Sequence, residues 1–215
     1  MIPLVLSLAL AAPLSPPDGT YSYTSMLNGT SIAKTAITVK HSDAGVTLNE
    51  SGTGSMNGQN GSIADTLTLD ATLSPAQYSS TASLGDSRNM KSTVAFTASE
   101  ATQTGDVNKK YDLVADAKHF VLLDLVSFTG FFALPAQMQA WNRTPVIAVV
   151  PTYGQGIPLA VDPAMKPARP AGVPAGDAPM SFNTMMAITV WYDPATLLVD
   201  EVDVPAQGVT IKRLR

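Results

Sequence analysis

The chain's only imidazoles are His41 and His119, and with no cysteine in the sequence they are the obvious centres for general-base or nucleophilic chemistry. His41 stands in "VKHSDAG", next to Ser42 and Asp43, which are the residue types of a Ser-His-Asp acyl-transfer site. Consecutive side chains on a strand point to opposite faces, so that run cannot converge on one reacting atom. His119 precedes an apolar stretch and has Asp112, Asp116 and Asp124 near it in sequence. Around it a triad is one expectation, and a polar group at the mouth of a cavity is the one favoured. No G-x-S-x-G elbow occurs.

Metal and phosphate chemistry fare no better. There is no H-E-x-x-H, no cysteine pair and no EF-hand loop. "DEVD", Asp200 to Asp203, clusters carboxylates, which reads as a solvated strand face. "GTGSMNG" has the wrong glycine spacing for a nucleotide loop and no helix after it, so it reads as a flexible turn. The expectation is a protein that is not an enzyme and holds no cofactor or metal. Catalysis stays as a third reading, tied to His119.

Apolar residues say more. Phe120, Leu125, Phe128, Phe131, Phe132, Met138 and Trp141 crowd one stretch, and Met186 and Trp191 flank the last strands. Flat rings and flexible thioethers suit an adaptable apolar cavity, and these nine residues are its candidate ligand-binding set. The alternative is that they complete the protein's own core.

The elements that must position them are mostly strands. From Thr20 onward the hydrophobic period is two, with turn residues recurring along the chain, as in an antiparallel meander. Asn28-Gly29 is a hairpin signal between "TYSYTSML" and "SIAKTAITVKH", and Leu67, Leu69, Ala71 and Leu73 share one face of another strand. Alternation stops in "HFVLLDLVSFTGFFALPAQMQAWN", which predicts short helical pieces limited by Gly130 and Pro135. "PAMKPARPAGVPAGDAP", within 163–179, is too Pro-rich for a central strand and reads as an ordered crossing loop or spacer.

About eleven strands at ~4.8 Å spacing and ~20 Å length present an inner face approaching ~1000 Å². A helix of about 14 residues covers roughly 200 Å² of it. The fold class expected is therefore mainly β, a curved antiparallel half-barrel with a short helical segment, 120–140, in its concave face. Val190, Tyr192 or Trp191, Leu198 and Val202 are expected to line the inside, the Trp/Tyr choice depending on register.

Composition bounds the partners. Charged residues make up 14% and the net charge is -4, which gives no footprint for nucleic acid. The start, "MIPLVLSLALAAPLSPPDG", places an apolar run before Ala9-Leu10-Ala11, so 1–12 reads as a signal peptide and 13–19 as a Pro-rich leader. Residues 20–215 then form a single half-barrel domain, secreted or periplasmic, with no transmembrane segment in the mature chain.

The pattern from Thr20 to Arg213 resembles a group of bacterial exported domains of unknown function, similar to the lipoprotein carriers and receptors of the Lol system. The resemblance is carried by "YSYTSMLNGTSIAKTAITV", "LTLDATLSPAQYSSTASL", "FVLLDLVSFTGFFALPAQM" and "ITVWYDPATLLVDEVDVPAQGVTIKR". It implies an unclosed antiparallel barrel and transfers no catalytic residue. The chain departs from it in the 163–179 loop, where another hairpin would stand. Two functions follow as expectations: binding of a lipid or other apolar ligand in the concavity, or a structural or interaction module with a self-filled core that meets another envelope protein.

Overall fold

The computed structural model describes residues 14–56, 58–85, 88–114, 116–124, 126–184 and 187–215. The signal segment 1–12 and the candidate residues Leu125 and Met186 lie outside them. Among the described residues are β1 (Gly19–Leu27), β2 (Thr30–Ser42), β3 (Gly45–Met56), β4 (Gln59–Asp70), β5 (Pro75–Leu84), β6 (Arg88–Phe96), β7 (Glu100–Gly105) and β8 (Lys109–Asp112). They are followed by β9 (His119–Leu122), α1 (Thr129–Ala140), β10 (Val146–Val150), β11 (Gln155–Leu159), β12 (Ala178–Asn183), β13 (Ala187–Tyr192), β14 (Val199–Val204) and β15 (Val209–Arg213).

Twelve strands form one antiparallel sheet in the order β12-β13-β14-β15-β1-β2-β3-β4-β5-β6-β7-β8. The chain's two ends meet inside it, β15 pairing with β1, so the sheet edges are β12 and β8 and the barrel is not closed. The β1–β2 turn uses Asn28 and Gly29 at φ 49° and 80°, the left-handed pair that a two-residue hairpin turn needs. "PVIAVVPTY" and "GIPLAV" do not extend this sheet. They form β10 and β11 of a second sheet, in which β10 also pairs in parallel with β9.

That second sheet and α1 lie against the inner face of the large one. Strand alternation puts Tyr21 and Tyr23, Ile37 and Val39, Val46 and Leu48, Leu67 and Leu69, Tyr78 and Val94 on this face by register. All but the half-buried Tyr21, which packs against it, share one buried core with Phe120, Val121, Leu122, Phe131, Phe132 and Met138. The helical expectation needs two corrections. Its first residues, His119–Leu122, are strand β9, and α1 runs unbroken through Gly130 and Pro135. Every residue from Thr129 to Met138 is buried, and that burial outweighs the one backbone bond a proline forfeits. Gly130 is the point of closest approach: a Cβ there would stand 2.1 Å from the Leu122 carbonyl oxygen, so only glycine lets α1 press against β9.

The Pro-rich 163–179 segment has a definite place. It crosses the outer face of β13, where the Arg169 guanidinium lies 5.0 Å from the centre of the Trp191 ring and donates to the carbonyls of Pro174 and Asp177. β13 and β14 are thereby buried on both faces. Hence β13, Ala187–Tyr192, reads as a nearly continuous apolar run instead of an alternating one.

Candidate functional site

Six of the seven described residues expected around an inner cavity, Phe120, Phe128, Phe131, Phe132, Met138 and Trp141, are buried in one continuous core. Tyr23 and Phe128 meet with ring centroids 4.5 Å apart at 60°, and Phe128 and Phe132 at 6.2 Å and 79°, both edge-on geometries that rings favour. Trp141 donates its indole N–H to the Thr72 carbonyl at 3.2 Å and stacks on His119 at 4.1 Å. The ring of His119 is thus a packing surface at the rim, and partial burial holds its pKa below the usual value. Phe120 borders a surface cleft shared with Asp70, Phe96, Lys118 and His119.

Trp191 stands apart from the set. Its register partner across β13 and β14 is Glu201, whereas Val190 pairs with Val202, and a bulge follows between Trp191 and Tyr192. Val190, Tyr192, Leu198 and Val202 belong to the inner core, while Trp191 faces outward under Arg169. A one-residue shift of phase swaps the faces, which is why the sequence left that choice open.

Where the inner face turns polar, it carries charge. Glu50 on β3 and Asp65 on β4 are register partners, with Ser80 on β5 next in the row, and all are buried. Glu50 Oε2 accepts from the backbone N–H groups of Phe128 at 2.7 Å and Thr129 at 3.2 Å, and from Ser127 Oγ at 3.2 Å. The first turn of α1 has no cap of its own, so this carboxyl, reaching over from the sheet, serves as one. Asp65 is approached by the hydroxyls of Ser127, Ser80 and Tyr78, yet neither of its buried oxygens has a well-formed hydrogen bond. Tyr78 donates to Asp124 at 3.4 Å, and Thr152 donates to the same carboxylate.

Burial, with the neighbouring Asp65 charge second, raises the Glu50 pKa to about 8 in spite of its hydrogen bonds. Burial also raises Asp65 to about 6. Among the described residues neither forms an ion pair with a cation, and no group of three His, Cys, Asp or Glu is disposed to hold a metal. What the cluster can do is hold protons and anchor α1. A cavity of about 240 Å³ lies beside it, lined by Ser80, Met90, Gln103, Asp124, Val126 and Thr152 among others.

The sequence held a signal for this row. Glu50 falls in phase with Val46 and Leu48, and Asp65 in phase with Leu67 and Leu69, so each is a charge at a core position of its strand. A second correction concerns "DEVD". Asp200 and Glu201 are buried, the former held by Arg213 at 3.3 Å and Arg215 at 3.0 Å, the latter by Lys212 at 3.2 Å. They are tied to the last strand and to the chain beyond it, and do not form a solvated face.

No protein-family model matches the sequence, and no curated protein matches it. Among solved structures the chain is similar to a β-barrel-like protein of the domain of unknown function DUF1849 from Brucella abortus, with a TM-score of 0.54, 10% identity, and coverage of 94% of this chain and 95% of that one. A DUF1089 family protein from Pseudomonas aeruginosa aligns with a TM-score of 0.49 at 8% identity, over 94% of this chain and 97% of that one. The chain thus shares its fold with a β-barrel-like domain of unknown function.

Proposed function

We propose that this chain is a structural or interaction module of the bacterial cell envelope, exported by its first residues, whose half-barrel is stoppered by its own α1 and second sheet. The observation that carries this reading is the filling of the concavity: Phe131, Phe132, Leu134 and Met138 are each at most 2% exposed. Rings and side chains of the chain itself occupy the volume that a carried acyl chain would need. The surface left for a partner is the outer face of β2–β5, where Lys40, Ser51, Thr53, Ser62, Gln77, Ser79 and Thr81 are exposed. Such a hydroxyl-rich face suits hydrogen bonding to another envelope protein better than apolar docking. A lipid-carrying role, the kind the Lol-like pattern suggests, requires the hollow to empty first.

Two measurements test the reading together. Native mass spectrometry of protein purified in mild detergent is expected to give the mass of the chain alone, and photocrosslinkers at Ser51 and Thr81 are expected to capture a discrete envelope protein in cells. A co-purifying amphiphile that leaves on unfolding would overturn the proposal and establish the carrier.

A further inference from the structure

His41, at the end of β2, is not partnered by Ser42 or Asp43. Ser42 Oγ turns to the Gly45 carbonyl at 3.3 Å. The partners of His41 come from the segment just before β1: Ser15 Oγ lies 2.7 Å from His41 Nε2, and Asp18 Oδ1 lies 2.5 Å from His41 Nδ1 and 2.8 Å from the His41 backbone nitrogen. This is a nucleophile, base and carboxylate in line, with each ring nitrogen facing the correct neighbour.

The protonation pattern follows from the contacts. Asp18 accepts from the His41 N–H and, through the same oxygen, from the ring, so Nδ1 carries the hydrogen and the Nε2 lone pair faces Ser15. Ser15 therefore donates its hydroxyl proton to Nε2. Hydrogen bonds from His41 hold the Asp18 carboxyl below its usual pKa, which keeps it ionised as the ring takes up a proton. The segment is held in place by covalent stiffness and one anchor. Pro16 and Pro17 fix the backbone between Ser15 and Asp18, Pro16 is buried, and Tyr21 donates its phenol to the Pro17 carbonyl at 2.9 Å. The side chains of His41 and Asp18 are 38% and 65% exposed, so a ligand reaches the group from solvent.

We propose that Ser15, activated by His41 and Asp18, is a nucleophile that accepts an acyl group from small activated esters. As Ser15 Oγ bonds to the ester carbonyl carbon, its proton passes to His41 Nε2. The bond from that carbon to the leaving oxygen then breaks, and the imidazolium returns the proton to the departing alkoxide. The products are acyl-Ser15 and an alcohol, with His41 neutral again. Pro16 and Pro17 offer no backbone N–H to a developing oxyanion, so water must stabilise it, and esters with good leaving groups are the class that reacts. Asp18 touches no reacting atom and is a positioning residue. The inference stands beside the reading of the filled hollow and does not rest on it.

The test is reaction of the full chain with p-nitrophenyl acetate and with a fluorophosphonate probe, the modified residue being located by peptide mass. The expected result is label on Ser15, formed about 100-fold faster than on other surface serines and lost in Ser15→Ala and His41→Ala. In Asp18→Asn the labelling rate is expected to fall about 10-fold or more, and Asp18→Glu, which keeps the carboxylate, is expected to recover part of it. Circular dichroism confirms folding of each variant, and Asp18→Asn, nearly isosteric, serves if His41→Ala is misfolded. Ser15 labelled no faster than Ser42, or label retained after loss of His41, would overturn the proposal.

Discussion

Carboxylates stand in two settings near β2 to β4, one sealed inside the sheet and one open at its rim, and they do opposite things. Glu50 and Asp65 lie sealed between the sheet and α1, where burial raises both pKa values. Asp18 lies open at the rim, where its bonds to His41 lower it. The difference is not in the acids but in what surrounds them. A carboxyl out of water with no cation nearby keeps its proton and works as a structural acceptor, while one in water beside an imidazole stays ionised and orients that ring. The inner cluster is thus expected to govern stability and the outer one reactivity.

The largest effect expected from this contrast is a pH dependence of stability that belongs to the inner cluster. Unfolded, Glu50 gives up its proton near 4.5; folded, it holds the proton to about 8. Between those values the folded chain binds more protons than the unfolded one, so stability falls as pH rises, by on the order of 5 kcal/mol across the window. Urea unfolding at several pH values measures it. Glu50→Gln, which keeps an acceptor but cannot ionise, is expected to reduce the slope, leaving the part that Asp65 contributes below about pH 6, and an unchanged slope would assign it elsewhere. Next in size, Glu50→Ala strips the acceptor from the Phe128 and Thr129 N–H groups and is expected to cost about 2–3 kcal/mol at pH 5. Amide hydrogen exchange should show the loss concentrated in the first turn of α1. A smaller effect lies on the far face: Arg169→Ala removes the cation over Trp191 and two carbonyl contacts, and is expected to cost about 1 kcal/mol and to shift Trp191 emission to longer wavelength.

The same contrast shows which parts of the molecule were legible in the sequence. Period-two alternation and the Asn28-Gly29 turn marked the meander, because one face of β1–β6 is wet and the other dry. β13 blurred, since the Pro-rich segment dries its outer face and removes the alternation that would have placed Trp191. β9 was absorbed into the helical stretch because both faces of "HFVL" are covered, and a short apolar run has no period to read. The buried acids were legible in phase but passed over as polar strand residues. The Ser15, Asp18 and His41 group was not legible: its members are brought together by residues 15–18, a strap before β1 that reaches the end of β2, and such a non-local contact leaves no mark on the spacing around His41.

The smallest effect expected on stability is also the sharpest test of the comparison. Asp18→Asn alters a largely exposed group whose pKa is lowered in the folded chain, so any stability it lends is present above the ordinary carboxylate pKa and is lost as pH falls below it. Solvent and salt screen an ion pair in that position, and its two partners must be ordered to make it. The unfolding midpoint at neutral pH is therefore expected to stay where it is in the wild type, while Ser15 labelling slows. If the midpoint moved as far as it does for Glu50→Ala, the rim group would be a structural clasp for the strap, and the division between an inner cluster that stabilises and an outer one that reacts would fail.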